Sequence, residues 1–392
     1  MIRARTFILI AALSVSAAAG AAGLSGRNSF ETLSLTYNAR FFSLAGAGIA
    51  LVDDVNAGMM NSSRLVSVRG LEFSVSANSH FGGSMGGMAA FAYPMPFGVF
   101  GASFVYFNYG RAELRAGDTE IPDEVWSPSD LLAVVSFGNS LGRNFAYGIN
   151  LKYVQEALTD DETMFGFAAD LNAFFNDIFT TRLDLGLTIN NLGVITRQGY
   201  RDNNLPIAVV AGLAYAFELD FPAAGIYDIK PCLDLELTAD LKPRVLFGSE
   251  FCWYHVANDL NITGRVGFAW PSDPGILTGF RLGVGADFRN ISVDYGIGWM
   301  GDLGFVHKIS ATFKLKTPEP KRFVEAVTRK RIEKDLEDFN KAFDKKTEDK
   351  PRKEKPAPQT APQAPPKKET IKNETPRTNV PPAGDDEFDF EE

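Results

Sequence analysis

Between residues 69 and 315, apolar residues recur at every second position for about ten residues at a time, the period that sends alternate side chains to opposite faces of a β-strand. From Phe145 the odd positions read Phe145, Tyr147, Ile149, Leu151 and Tyr153, against Ala146, Gly148, Asn150 and Lys152. From Leu183 the odd face is Leu183, Leu185, Leu187 and Ile189, against Asp184, Gly186, Thr188 and Asn190. Ile291, Val293, Tyr295, Ile297 and Trp299 oppose Ser292, Asp294, Gly296 and Gly298 in the same way. Alternation alone also suits a soluble sandwich. The number and length of the runs favour a barrel. Clusters of Gly, Pro, Asn and Asp divide the region into about fourteen runs. They start near Leu71, Gly87, Val99, Leu131, Phe145, Phe165, Arg182, Ile207, Tyr227, Arg244, Leu260, Ile276, Ile291 and Phe305. Most span about nine to twelve residues, enough for a tilted strand to cross a bilayer. Pro94, Pro96, Pro122, Pro128, Pro206, Pro222, Pro271 and Pro274 fall between runs or at their starts, as full pairing of strand N–H groups demands. Pro231, inside the ninth run, departs from this rule.

The chain begins with Arg3 and Arg5, an apolar run from Phe7 to Val15 and small residues to Ala22, with no acidic residue before Glu31, the composition of a secretory signal peptide. Nothing after it is an apolar run of about 18 residues, so helical membrane spans are excluded. The 45% hydrophobic content, with 36 Gly and 32 Phe, still needs burial, and alternating strands in a closed barrel provide it. A formal charge of −9 gives no reason to expect nucleic acid, and two cysteines in 392 residues do not build a disulfide scaffold. The expected organisation is a signal peptide at 1–21, a small and Gly-rich plug segment at 22–68, an all-β antiparallel transmembrane barrel at 69–315, a linker with an amphipathic helix at 316–349, and a disordered, charged, Pro-rich tail at 350–392. The longest connections, Tyr109 to Ser129 and Asn191 to Leu205, follow odd-numbered strands and share one side, while Pro94–Pro96 and Arg289–Asn290 are short and share the other. Long outer loops and short periplasmic turns are the habit of outer-membrane barrels, and an even strand count then places both termini in the periplasm.

The segment before the first strand runs from Asn38, Ala39 and Arg40 through Gly46, Ala47 and Gly48 to Asp53 and Asp54. It resembles the N-terminal signature of the long-chain fatty-acid transporter (FadL) superfamily of outer-membrane barrels, in particular its PorV/PorQ and UPF0164 branches. The resemblance covers about residues 33–315 and implies a plug folded into a barrel of fourteen strands. Where that family has Asn-Pro-Ala, this chain has Asn61, Ser62 and Ser63. Physically, Gly46 and Gly48 permit a tight fold in a crowded lumen, and Asp53, Asp54 and Asn61 can accept hydrogen bonds there.

The inward register through the middle strands carries Lys152, Asp170, Asn172, Arg182, Asp184, Asn190, Asp234, Glu236, Arg244, Glu250, Arg265, Arg281, Asp287 and Asp294. Mixed signs favour networks that hold a plug over a single-sign ion filter. The third strand has aromatics on both faces, and Phe100, Phe104 and Tyr106 are read as an apolar patch in the lumen. His80, His255 and His307 lie far apart, and no nucleophile elbow or metal-spaced cluster is present, so no enzyme activity, metal or cofactor is expected. Cys232 and Cys252 fall on the ninth and tenth strands, where a turn centred near Leu241 or Lys242 sets them opposite each other as a possible disulfide. Two functions follow. One is passive uptake of hydrophobic small molecules across the outer membrane, with membrane lipid as the surround and a lipophilic solute as the ligand. The other is a PorV-like docking barrel that holds a periplasmic or secretion-system protein, in part through the tail, and passes no solute.

Overall fold

The structure is a computed structural model that describes residues 30–315, apart from 116, 119, 159–162, 197–204, 222–224, 240–242, 256–259 and 273–275. The signal peptide, the first residues of the plug segment, the helix-and-tail region from 316 onward and residues 197–204 of the connection after the seventh strand lie outside the described residues.

Fourteen antiparallel strands close into a barrel. They are β1 (Leu71–Ser79), β2 (Met85–Met95), β3 (Gly98–Asn108), β4 (Ser129–Ser140), β5 (Phe145–Ala157), β6 (Thr163–Phe175) and β7 (Leu183–Ile195). There follow β8 (Ala208–Tyr215 continuing as Phe217–Phe221), β9 (Gly225–Thr238), β10 (Arg244–His255), β11 (Leu260–Trp270), β12 (Phe280–Phe288), β13 (Ile291–Trp299) and β14 (Phe305–Leu315). Each strand pairs with its neighbours in sequence, and β1 closes on β14 with Leu71 opposite Leu315. The first strand starts and the last ends on one rim, called here the near rim. The interruption of β8 at Ala216 lies beside Pro231 of β9, whose ring has no N–H to complete the ladder. The twelfth strand starts at Phe280 and not at Ile276, because Ile276–Gly279 forms a 3-10 turn first.

Connections on the near rim are short, at 96–97 and 289–290, while 109–128 and 196–207 both lie on the far rim. The former long connection carries its own hairpin, Ala112–Leu114 paired with Glu124–Trp126. Buried and exposed residues alternate along the strands, as in β1 and β5. The outer face is apolar, with Leu151, Phe167, Leu233, Val284 and Ile309 among its exposed residues, and aromatics mark both ends: Tyr93, Phe97 and Tyr147 toward the near rim, Trp270, Trp299 and Phe305 toward the far rim. No helix among the described residues is long and apolar enough to cross a membrane. An apolar band between aromatic girdles around a closed ladder is the pattern of a strand-built membrane span.

Residues 30–68 occupy the lumen. They fold as short helical turns, including α1 (Ala39–Ser43) and α2 (Ala57–Met60), that touch strands around the whole ring. Ser310 of β14 accepts from Ala39 N, Ser136 of β4 donates to the Gly58 carbonyl, and Asn172 of β6 donates to Ser62 Oγ. The wall admits this backbone because glycines face it. A Cβ at Gly148 would overlap the Ser63 nitrogen, and one at Gly267 would overlap the Leu44 carbonyl carbon.

Candidate functional site

The plug is fastened by charge. Arg40 lies on α1, where the Asn38 side chain caps the helix by accepting from Arg40 N at 2.8 Å. Its guanidinium grips Glu250 of β10 in a two-pronged contact, Nε to Oε1 at 2.7 Å and Nη2 to Oε2 at 2.9 Å, and its Nη1 reaches Asp53 at 2.7 Å and Asp54 at 3.1 Å. Glu250 Oε1 also accepts from Arg265 Nε at 2.7 Å, and Arg265 Nη1 holds Asp294 at 2.6 Å. One chain of charge thus runs from the plug across β10, β11 and β13. Burial alone would lower the Arg40 pKa, but Glu250, Asp53 and Asp54 outweigh it and keep the guanidinium charged. The enclosing barrel would likewise raise the Asp53 carboxyl, whose side chain is half exposed, and Arg40 beside it holds it well below the usual carboxylate range.

Two further contacts complete the hold. Asp234 of β9 accepts from Gly48 N at 2.7 Å and Ile49 N at 3.1 Å, where Gly46 and Gly48 have φ of 85° and 112°. Asn61 caps the next turn, with its Oδ1 accepting from Ser63 N and its Nδ2 donating to the Ile49 carbonyl. On the opposite wall Lys152 pairs with Asp170 at 2.8 Å, and Asp170 also accepts from Asn150 Nδ2 and from Asn191 N.

Several expected positions differ. Phe100, Phe104 and Tyr106 do not face the lumen. The pairing of Met88 with Val105 puts the odd residues of β3 inward, so Val99, Val105 and Phe107 are buried while Phe104 and Tyr106 are exposed on the outer wall. Arg182 stays in the turn before β7, 42% exposed, and bridges Glu218 at 3.0 Å. Asn190 keeps its inward place, and Asn191 joins it at the cavity, because a bulge between Ala169 and Leu171 shifts the β6–β7 register and Asn191 takes φ of 63°. Asp184 is half-buried and accepts from Asp177 N. Glu236 faces inward 3.4 Å from Arg244, and Arg281 lies over the Phe42 ring at 5.2 Å. Cys232 and Cys252 are free and buried. Cys232 pairs with Gly248 and Cys252 with Asp228, a register centred on residue 240 that leaves the thiols about 13 Å apart along the strands. A disulfide is excluded.

The lumen is divided. On the side of β2 to β6, Met88, Val105, Leu132, Val154 and Met164 pack on Phe41, Val52, Val55 and Leu65 of the plug. Between the plug and the wall lies a cavity of about 160 Å³. Leu33, Leu35, Met59, Met60 and Met88 form its apolar side, and Asn38, Asn56, Asn191, Glu236 and Arg244 its polar side. The periodicity that places wall residues says nothing about Met59, Met60, Asn38 or Asn56, which belong to the irregular plug. No cluster of His, Cys, Asp and Glu able to hold a metal occurs among the described residues.

No family model and no curated protein matches the chain. Solved structures do. The deltaS2S3 mutant of TodX, a monoaromatic hydrocarbon channel, is similar over 71% of this chain and 99% of its own, at 10% identity and TM-score 0.51. The likeness is one of fold. The Pseudomonas putida toluene transporter TodX matches at 11% identity over 70% of this chain and 96% of its own, with TM-score 0.47. A Pseudomonas aeruginosa FadL homologue matches at 12% identity over 72% and 99%, with TM-score 0.45.

Proposed function

We propose that this barrel sits in the outer membrane, with its near rim toward the periplasm, and passes small molecules of hydrophobic character through the space beside its plug. The observation that carries the reading is the cavity between plug and wall, apolar on one side and hydrogen-bonding on the other. A pore for hydrated ions would be wide and polar all round. This cavity is small and mixed, its polar lining larger than its apolar one, and the wall of Leu33, Leu35, Met59, Met60 and Met88 can seat the apolar body of a small solute beside those polar groups. The fold shared with a hydrocarbon channel supports the reading, and so does the apolar outer band, which suits a lipid surround. The aromatic outer face of β3 belongs to that band and takes no part in the path.

Accumulation of a toluene-sized labelled solute by cells with a lipopolysaccharide outer leaflet tests this, with and without the barrel. Cells carrying the barrel should accumulate the solute several times faster. Met60→Trp, which fills the cavity, should remove that gain while leaving the amount of folded barrel unchanged. Equal accumulation with and without the barrel would refute uptake.

A further inference from the structure

The cavity between plug and wall carries charge as well as apolar surface, and what that charge selects rests on the uptake reading given above. Among the described residues its charged lining is Lys152, Arg244 and Glu236. Lys152 is buried and held by Asp170 at 2.8 Å and by Asn191 Oδ1 at 2.8 Å. Arg244 and Glu236 are within a solute's reach, since their side chains are 36% and 17% exposed. Arg244 opens β10, and Glu236 stands directly opposite it on β9, shortly before Thr238 ends that strand, so both sit at the far-rim edge of the cavity. Arg244 Nη1 lies 3.4 Å from Glu236 Oε2, and the Thr238 hydroxyl donates to Glu236 Oε1 at 3.3 Å. One solute group placed at this edge therefore meets both charges together.

Opposite charges this close largely cancel for anything that approaches them. A carboxylate arriving there loses to Glu236 what it gains from Arg244, and it still gives up its hydration. A neutral polar group of the same shape loses less hydration, and it can accept from the guanidinium or donate to the carboxylate. Leu33, Leu35, Met59, Met60 and Met88 seat the apolar body in either case. The volume of about 160 Å³ suits a single ring, since an apolar cavity of about 150 Å³ takes up benzene. We infer that Glu236 sets the solute class: by neutralising Arg244 it bars organic acids and leaves the cavity to neutral amphiphiles, with the ring inside and the polar group at the edge. Without Glu236 the guanidinium would face the solute uncompensated, and a guanidinium takes a carboxylate in a two-pronged contact. Specificity here lies in the solute that is turned away.

The test is binding to the purified full-length barrel in detergent at neutral pH, read by titration calorimetry, with benzamide and benzoate as probes. The two have the same outline and differ in charge, so their ratio reports charge and does not move when a variant merely binds both less well. Benzamide should bind about tenfold more tightly than benzoate to the unmodified barrel. In Glu236→Gln, which keeps the outline of the side chain, that ratio should shift toward benzoate by on the order of tenfold. Adding Arg244→Gln to it should undo the shift. Benzoate binding as tightly as benzamide to the unmodified barrel overturns the inference whether or not the variants fold. So does a ratio unchanged in folded Glu236→Gln. If the probes bind alike and both are lost in Met60→Trp, the cavity still serves uptake and only the charge selection falls. If neither probe binds, the cavity takes no solute of this size, and both readings fall together.

Discussion

Arg40 meets three carboxylates, two from its own segment and one from the wall, and that difference decides what its loss does. Asp53 and Asp54 fold the plug on itself, whereas Glu250 ties it to β10. Arg40→Gln leaves Glu250, buried on β10, with Arg265 as its remaining cation. Removing one partner of a buried pair costs about 3 kcal/mol, so the variant should unfold at lower urea concentration, and unchanged unfolding would show that the wall contact contributes nothing. The pH behaviour has a definite sign. The Asp53 carboxyl is depressed in the folded chain, so its contribution is fully present above about pH 4, the unfolded value, and is lost only as pH falls through the lower folded value. Carboxyl NMR of the labelled barrel should give an Asp53 midpoint well below that of an ordinary aspartate, moving up in Arg40→Gln. A midpoint near about 4 in the unmodified chain would contradict the Arg40 contact.

Strand positions were legible in the sequence because period-two alternation and turn residues act locally, and thirteen of the expected starts fall within a few residues of those observed, Ile276 being the exception. Facing was legible only where one face is plainly polar. In β3 both faces are apolar, so nothing in Phe100, Phe104 or Tyr106 records that the tight turn at 96–97 exchanges the parity of β2 and β3. A few residues in hairpin register separate a facing cysteine pair from the observed one, and the turn between β9 and β10 holds no Asn-Gly or Asp-Gly pair to fix its centre. Alkylation of the unfolded protein without reductant should therefore label both Cys232 and Cys252, and protection of both would restore the disulfide. The wall glycines were legible as composition and not as positions. Gly148→Val places a branched side chain where Ser62 and Ser63 of the plug now lie. It should leave strand content by circular dichroism intact and displace the plug, seen as new protease cleavage within residues 30–68. Continued protection would mean that the plug does not contact this wall.

At the scale of the molecule, a ring of fourteen strands encloses space that its own side chains do not fill, and the N-terminal segment fills it. Charged side chains fasten the segment along β9 to β14, and apolar packing, with hydrogen bonds from Ser136 and Asn172, covers β2 to β6, with the cavity where plug and wall separate. The sequence showed the plug through its glycines and acids, but not the cavity, which arises from the meeting of an irregular segment with a regular wall. In this arrangement the plug, and not the wall, closes the ring. Conductance in planar bilayers tests that claim most directly, comparing the intact chain with one lacking residues 33–65. The intact barrel should pass little current and the deleted one a large, steady current. Equal conductance of the two chains would contradict a plugged pore.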